Sequence, residues 1–295
     1  MTRLLLSLVL LSLPLRAASA DEVVRRVGRV TIRVDLQQAF PGGVVVVRLG
    51  GARVGSAWAL LDGRRAPFYP DHGVPRALVP VAVATGPGPA TLGIELAARR
   101  GAQRLVVPLQ IAAREYPAAS VYLDETKRGL LNRTEVLHDA RRLLGFVRAE
   151  SPASAPGSIV APVAGVGRGF GERRSHTGFA DVESRIDGLS GESHRGLDYA
   201  VPPGTPVRSP GAGSVLFAGP LVLSGDTVVV DHGQGVVSVL QHLSRVTVQA
   251  GDTVAAGAEL GTSGETGLAP APLLEWRVYL HGVAVDPLVL GPILG

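Results

Sequence analysis

The chain has 295 residues, enough for two ordinary domains, and 46% of them are hydrophobic. It contains no cysteine, which excludes disulfides, thiolate-bound zinc and a thiol nucleophile. The formal net charge of +4 is small, and no basic run with interleaved aromatic residues appears, so nothing in the composition supports nucleic-acid binding.

The first twenty residues have the features of an export signal. Arg3 is followed by an apolar run from Leu4 to Leu15 and by Ala-Ser-Ala at residues 18–20. This pattern predicts a secretory signal peptide, residues 1–20, removed after Ala20. The alternative is a membrane anchor, but the run is shorter than the ~20 residues that a spanning helix needs. We therefore expect an exported protein, periplasmic or extracellular, with no membrane span after cleavage.

Residues 21–115 consist of short apolar runs separated by turn residues. Val30–Val34 alternates between apolar and polar side chains, and Asp62-Gly63 follows the apolar run 57–61, which is a strong hairpin signal. Evenly spaced short strands predict an N-terminal immunoglobulin-like β-sandwich. No catalytic constellation is visible in this part of the sequence.

Residues 116–157 have a different pattern. Apolar residues recur at helical spacing, and Asp124 or Asn132 could cap the start of a helix. A stretch rich in Ser, Pro and Ala, residues 151–157, reads as a linker. We expect a helical connector that is either a spacer or a cover over the following domain.

Strand and turn patterns return in residues 158–295. Residues 175–192 form a polar insertion rich in Gly and Ser, which we expect to be a loop at the rim of a groove. The Ala-Gly-x-x-Val-x-x-Gly turn that begins at Ala250 recurs in barrel-sandwich folds, including lipoyl and biotinyl carriers. A carrier needs an exposed lysine, and this region has none. The pattern predicts a curved, open antiparallel sheet with a groove.

The chemistry-bearing residues of this region occur in three separate stretches. His194 and Asp198 lie four residues apart with a glycine between them, so an imidazole and a carboxylate can both turn toward one divalent cation. His242 follows about 45 residues later, within Gln-His-Leu-Ser. Leu273 and Glu275 lie two apart in a strand pattern, so both side chains are expected to point toward the groove.

In this order, and with Gly264–Gly267 and Val285–Pro287, the motifs resemble those of the lysostaphin/LytM-like zinc metallopeptidases, which cleave peptidoglycan peptides. The resemblance covers roughly the last 135 residues, a usual size for a domain. It implies a barrel-sandwich-hybrid type of fold, zinc on His194 and Asp198, and a role for His242 in activating the water nucleophile. The family has H-x-H where this chain has Leu273-Leu274-Glu275.

One interpretation makes Glu275 the replacement ligand, which gives a His-Asp-Glu site for Zn²⁺. Carboxylate oxygen binds zinc at distances similar to imidazole nitrogen, so the exchange is geometrically acceptable. Two carboxylates neutralise the charge of the ion, however, and a less positive metal lowers the pKa of its bound water less. Leu273 also removes a hydrogen-bond donor to the oxyanion, a loss that commonly costs about 10²–10³ in turnover.

The other interpretation is a degenerate site. The domain would then bind a peptidoglycan peptide, or regulate a partner wall hydrolase, without catalysis. The remaining histidines are not expected to replace a lost ligand. His232 is expected to be structural and His281 to be exposed in a turn; the rest are expected on loops or the surface: His72, His138 and His176.

Overall fold

The computed structural model describes residues 21–51, 56–98, 101–120, 123–131, 133–151, 157–175 and 193–294. Over these residues the chain is mainly β, with antiparallel sheets, which confirms the predicted fold class. The predicted signal peptide and nearly all of the predicted insertion loop lie outside the described residues. In the described ranges, no helix has the length and apolar character needed to cross a membrane.

The N-terminal part is built from two antiparallel sheets around a shared core. Its strands are β1 Glu22–Val27, β2 Val30–Asp35, β3 Val44–Gly50, β4 Ala57–Leu61, β5 Arg64–Pro67, β6 Tyr69–Asp71, β7 Val74–Pro80, β8 Gly88–Ala98 and β9 Gly101–Ile111. The sheets have the orders β1-β2-β3-β7-β6 and β5-β4-β8-β9. Val45 of the first and Ile94 of the second are fully buried in the same cluster. This is a sandwich; its immunoglobulin-like type stays a prediction.

The hairpin predicted at Asp62-Gly63 is present. It joins β4 to β5, with Leu61 paired to Arg64 across a two-residue turn. Asp62 and Gly63 have φ of 51° and 75°, and two left-handed residues in succession are what a type I′ turn requires.

The connector contains β10 Ala118–Ser120, α1 Glu125–Leu130 and α2 Glu135–Val147. The Asp124 carboxylate caps α1 by accepting from the Lys127 backbone N–H at 2.8 Å. Helix α2 packs on the following domain, where the ring of Phe146 stacks on Phe217 with centroids 5.5 Å apart. The amphipathic run thus forms a pair of helices, and α2 is a cover, one of the two predicted roles. Asn132, the other predicted cap, lies outside the described residues.

The C-terminal part contains one nine-stranded antiparallel sheet. Its elements are β11 Arg173–Ser175, β12 Gly196–Tyr199, β13 Pro206–Arg208, β14 Gly213–Leu221, β15 Gly225–Gly233, β16 Val236–Val246, β17 Thr253–Val254, β18 Glu259–Ser263, β19 Leu274–Leu280, β20 Val283–Val285 and the helix α3 Pro287–Leu294. The main order is β12-β19-β16-β15-β14-β17, with β18 against β16 and β20 against β19. Strand β11 pairs in parallel with β10 of the connector.

Alternation along β19 separates two faces of this sheet. Leu274, Trp276 and Val278 are buried in the main core. Glu275, Arg277 and Tyr279 point to the opposite face, because side chains alternate along a strand. Tyr279 there joins the apolar cluster beneath α2. We call this side the groove face: α2 covers one end of it, and Glu275 lies toward the other.

The N- and C-terminal parts share buried surface. Val44, Val46 and Leu78 of the N-terminal sheets belong to the main core of the C-terminal sheet. The prediction that His281 is exposed is wrong: its side chain is 5% exposed, and its ring stacks on Tyr69 at 6.5 Å. The turn after β19 packs against the N-terminal part, and no local sequence pattern signals that contact.

Candidate metal centre

Strand pairing brings His194, Asp198 and Glu275 together. Asp198 on β12 is paired directly with Glu275 on β19, so their side chains share one face. His194 precedes β12, and its backbone N–H donates to the Glu172 carbonyl at 2.8 Å. The His194 Nε2 atom then lies 3.4 Å from Asp198 Oδ1 and 2.9 Å from Glu275 Oε1. One ligand atom from each of the three side chains lies within 4.8 Å of the other two.

Gly196 provides the room for this approach. A Cβ atom built on Gly196 would lie 2.8 Å from Glu275 Oε1 and 2.9 Å from Arg277 Cγ, closer than real Cβ atoms come to their neighbours. The glycine between His194 and Asp198 is therefore a steric requirement of the centre.

His242 enters the centre from β16 through a bulge. The pairing of β15 with β16 shifts between Asp226–Leu243 and Val228–Leu240, which leaves one extra residue in β16. His242 lies at this point with φ of 64°, in the left-handed region that non-glycine residues seldom adopt. The bulge aims its Nε2 at Glu275 Oε2, 3.2 Å away.

Arg277 also contacts the Glu275 carboxylate. Its Nε donates to Oε1 at 2.6 Å, and the Arg277 side chain is only 12% exposed. Burial by itself would raise the pKa of Glu275, but Arg277 and the hydrogen-bonding imidazoles of His194 and His242 hold it well below its usual range. Glu275 is therefore a carboxylate at neutral pH.

The hydrogen bonds of the two imidazoles show which of their nitrogen atoms face Glu275. Nδ1 of His194 faces the Gly169 carbonyl at 3.1 Å, and Nδ1 of His242 faces the Thr266 carbonyl at 2.8 Å. Each Nδ1 must carry the proton that it donates, so in the neutral ring Nε2 has only a lone pair. Both Nε2 atoms nevertheless face carboxylate oxygens of Glu275. Two acceptors stay this close only with a proton or a cation between them.

The donor set fits zinc. An imidazole nitrogen with two carboxylate oxygens is an accepted zinc ligand set, and an Nδ1–H bonded to a carbonyl is the usual support of a metal-bound histidine. Tetrahedral bonds of about 2.0 Å place ligand atoms about 3.3 Å apart. The distance of 3.4 Å between His194 Nε2 and Asp198 Oδ1 agrees with that spacing, whereas the 2.9 Å between His194 Nε2 and Glu275 Oε1 is shorter, so these two atoms would move apart when zinc binds.

Two further residues complete the centre. Leu273 is 7% exposed and contributes no polar group where the resemblance implies a histidine. Gln241 is paired with Glu275 on the side away from Asp198, so the three polar residues form one row across β12, β19 and β16. The sequence motifs pointed to the acids and imidazoles, whereas Arg277 and Gln241 were missed because their roles depend on pairing between distant strands.

The other histidines lie elsewhere. His232 is 5% exposed and bonds to the Ala212 carbonyl and the Ser238 hydroxyl, in agreement with a structural role. The side chains of His72 and His138 are 100% and 74% exposed, so neither lies in a buried centre. His176 lies outside the described residues.

Comparison with known proteins places this geometry in context. Residues 192–287 match the model of Peptidase family M23. An uncharacterized metalloprotease of Buchnera aphidicola is 34% identical over 94 residues, which is 32% of this chain and 25% of that protein. The peptidoglycan DD-endopeptidase ShyA of Vibrio cholerae is 36% identical over 93 residues, 32% of this chain and 22% of ShyA. The chain thus spans about a quarter or less of the length of these curated relatives.

One solved structure resembles nearly the whole chain. A protein from Pseudomonas aeruginosa described as an M23 peptidase superposes with a TM-score of 0.63 at 28% identity. The match covers 87% of this chain and 96% of that one. The similarity therefore extends beyond residues 192–287 into the N-terminal part.

Proposed function

We propose that this chain, whose residues 192–287 match the model of Peptidase family M23, is an exported lysostaphin/LytM-like protein. It hydrolyses peptide bonds of peptidoglycan with Zn²⁺ held by His194, Asp198 and Glu275. The observation that carries the proposal is the convergence of these three ligand atoms within 4.8 Å. The peptidoglycan substrate is supported by two relatives named as peptidoglycan DD-endopeptidases, and export by the N-terminal signal pattern.

In this proposal each side chain has a distinct role. Bound zinc would polarise the scissile carbonyl and acidify a water molecule. His242 keeps its Nδ1 proton on the Thr266 carbonyl, so its Nε2 is the atom that accepts and returns a proton during the reaction. Asp198 is the most exposed of the three proposed ligands, with 21% of its side chain accessible to solvent, against 1% for His194 and 7% for Glu275.

Arg277 offsets the charge of the unusual ligand. Two carboxylates cancel both charges of a zinc ion, which would make the metal a weaker acid. The Arg277 guanidinium, bonded to Glu275 at 2.6 Å, returns one positive unit to the centre. The total formal charge then equals that of a site with two imidazoles and one carboxylate.

A second candidate function is a metal-free module that binds a peptidoglycan peptide or a partner wall hydrolase. The favouring observation is that Glu275 already accepts from Arg277, while the buried Leu273 offers no donor to an oxyanion. In that case a proton rather than a metal ion lies between Glu275 and each imidazole nitrogen that faces it.

Hydrolysis and zinc content separate the two functions. The mature full-length protein is purified, its zinc is measured, and it is incubated with a cross-linked muropeptide with and without added zinc. The enzyme proposal predicts about one zinc per chain and cleavage that Asp198→Ala and Glu275→Ala abolish, whereas Glu259→Ala, at an exposed acid on β18, leaves both unchanged. Absence of zinc and of cleavage, with muropeptide still bound, would establish the binding module instead.

A double substitution tests whether the rest of the centre is competent. Leu273→His/Glu275→His restores the histidines that the resemblance implies. We expect zinc to be retained and muropeptide cleavage to rise by about 10²-fold, because the variant regains an oxyanion donor. An inactive variant that binds zinc would show that the defect lies outside these two positions.

A further inference from the structure

The side chain of Gln241 is the unexplained polar group of the centre. It is 1% exposed, and its Nε2 has no hydrogen-bond partner within the described part of the chain. A buried amide left without a partner destabilises the fold, so such groups are rare. Its direct pairing with Glu275 places it on the groove face, next to His242 along β16.

We propose that the Gln241 amide donates a hydrogen bond to a carbonyl oxygen of the bound peptide. The inference rests on the proposed function and adds a substrate-binding residue to it. Leu273 supplies no donor, so a peptide carbonyl at the centre needs one from another strand. Gln241 lies in the same row as Asp198 and Glu275, one strand further along, and has N–H groups to give. The Gln241 amide, which has no partner within the described part of the chain, would then find its hydrogen-bond acceptor in the bound peptide.

Gln241→Met separates this role from a structural one. The variant keeps the length of the side chain and removes the amide. We expect the affinity for a cross-linked muropeptide to fall about tenfold, while the thermal midpoint stays the same or rises because an unsatisfied donor has gone. Gln249→Met, the same exchange at an exposed position, is the control. Affinity is measured on the full-length protein with a chelator present, so that cleavage does not interfere.

The outcomes are distinct from those of the proposed function. Failure of the wild type to bind or cleave the muropeptide would contradict the proposed function. Wild-type binding that Gln241→Met leaves unchanged would contradict the role of Gln241 alone. A variant that loses stability together with binding would also overturn it, since that result marks a structural residue.

Discussion

At the residue scale, the centre depends on contacts that only certain side chains permit. Glu275 lies between the imidazoles of His194 and His242, and Gly196 leaves it the space to do so. Each contact joins residues that are far apart in sequence, so the centre forms only when the strands that hold them pair.

Gly196→Ala is expected to disrupt the centre without disturbing the fold elsewhere. The added methyl group would meet Glu275 Oε1 at 2.8 Å and Arg277 Cγ at 2.9 Å. We expect zinc affinity to fall at least tenfold and the free energy of unfolding to fall by about 1–3 kcal/mol, the usual cost of overpacking. The measurements are chelator competition and urea unfolding. Gly50→Ala, where nothing lies within 4 Å of the new Cβ, should change neither.

The sequence motifs predicted part of this centre. His194 and Asp198 follow from their spacing, and the face of Glu275 follows from strand alternation. The ion pair with Arg277, the carbonyls of Gly169 and Thr266 and the bulge at His242 have no local signature. These contacts form when β12, β16 and β19 pair side by side. The spacing of residues within one segment does not predict which strands pair.

At the element scale, the connector divides into a firmly packed helix and a loosely attached one. Helix α2 buries Val136, Ala140 and Val147, and Val147 packs with residues of the C-terminal sheet, whereas α1 buries no side chain. Helical periodicity predicted a helical connector but not the difference between α1 and α2. The periodicity shows that one face of a helix is apolar, but it does not show which surface that face packs against.

Phe146→Ala should weaken the docking of α2. The variant loses a ring that stacks on Phe217, and since Phe146 is only partly buried, we expect the free energy of unfolding to fall by about 1–3 kcal/mol. Urea unfolding measures the change. Leu137→Ala, at a side chain of the same helix that is 47% exposed, should stay within about 0.5 kcal/mol of the wild type. Equal effects of the two substitutions would contradict this packing.

At the scale of the whole molecule, the N- and C-terminal parts behave as one structural unit. Leu78 of β7 is buried in the core of the C-terminal sheet, and Arg114 pairs with the nearly buried Asp286 at 2.8 Å. The two-domain pattern was visible in the sequence, but the shared core was not, because the strands that build it are apolar on both faces.

This shared core predicts cooperative unfolding. Calorimetry of the mature protein should show one transition, and Leu78→Ala should lower its midpoint as a whole, with a cost of about 2–5 kcal/mol in the free energy of unfolding. Two separate transitions, with only the N-terminal one moved by the substitution, would contradict a common core.

His281 should make this interface sensitive to acid. Burial lowers the pKa of His281 from 6.5 to about 4. The imidazole therefore takes up a proton near pH 6.5 in the unfolded chain, but only near pH 4 in the folded chain. The free energy of unfolding is highest above pH 6.5 and decreases as the pH falls toward 4. Because of His281, we expect the free energy of unfolding to be lower at pH 5 than at pH 7 by about 2 kcal/mol. His281→Asn, which tolerates the left-handed φ of 50°, should reduce the loss by that amount in urea unfolding at both pH values.

The most direct test of the proposed zinc site is an anomalous diffraction map at the zinc absorption edge from crystals of the full chain grown with zinc. If these residues hold zinc, we expect one strong peak about 2 Å from His194 Nε2, from an Asp198 oxygen and from a Glu275 oxygen. A map with no peak at this position, and with Glu275 held only by Arg277 and the two imidazoles, would contradict it.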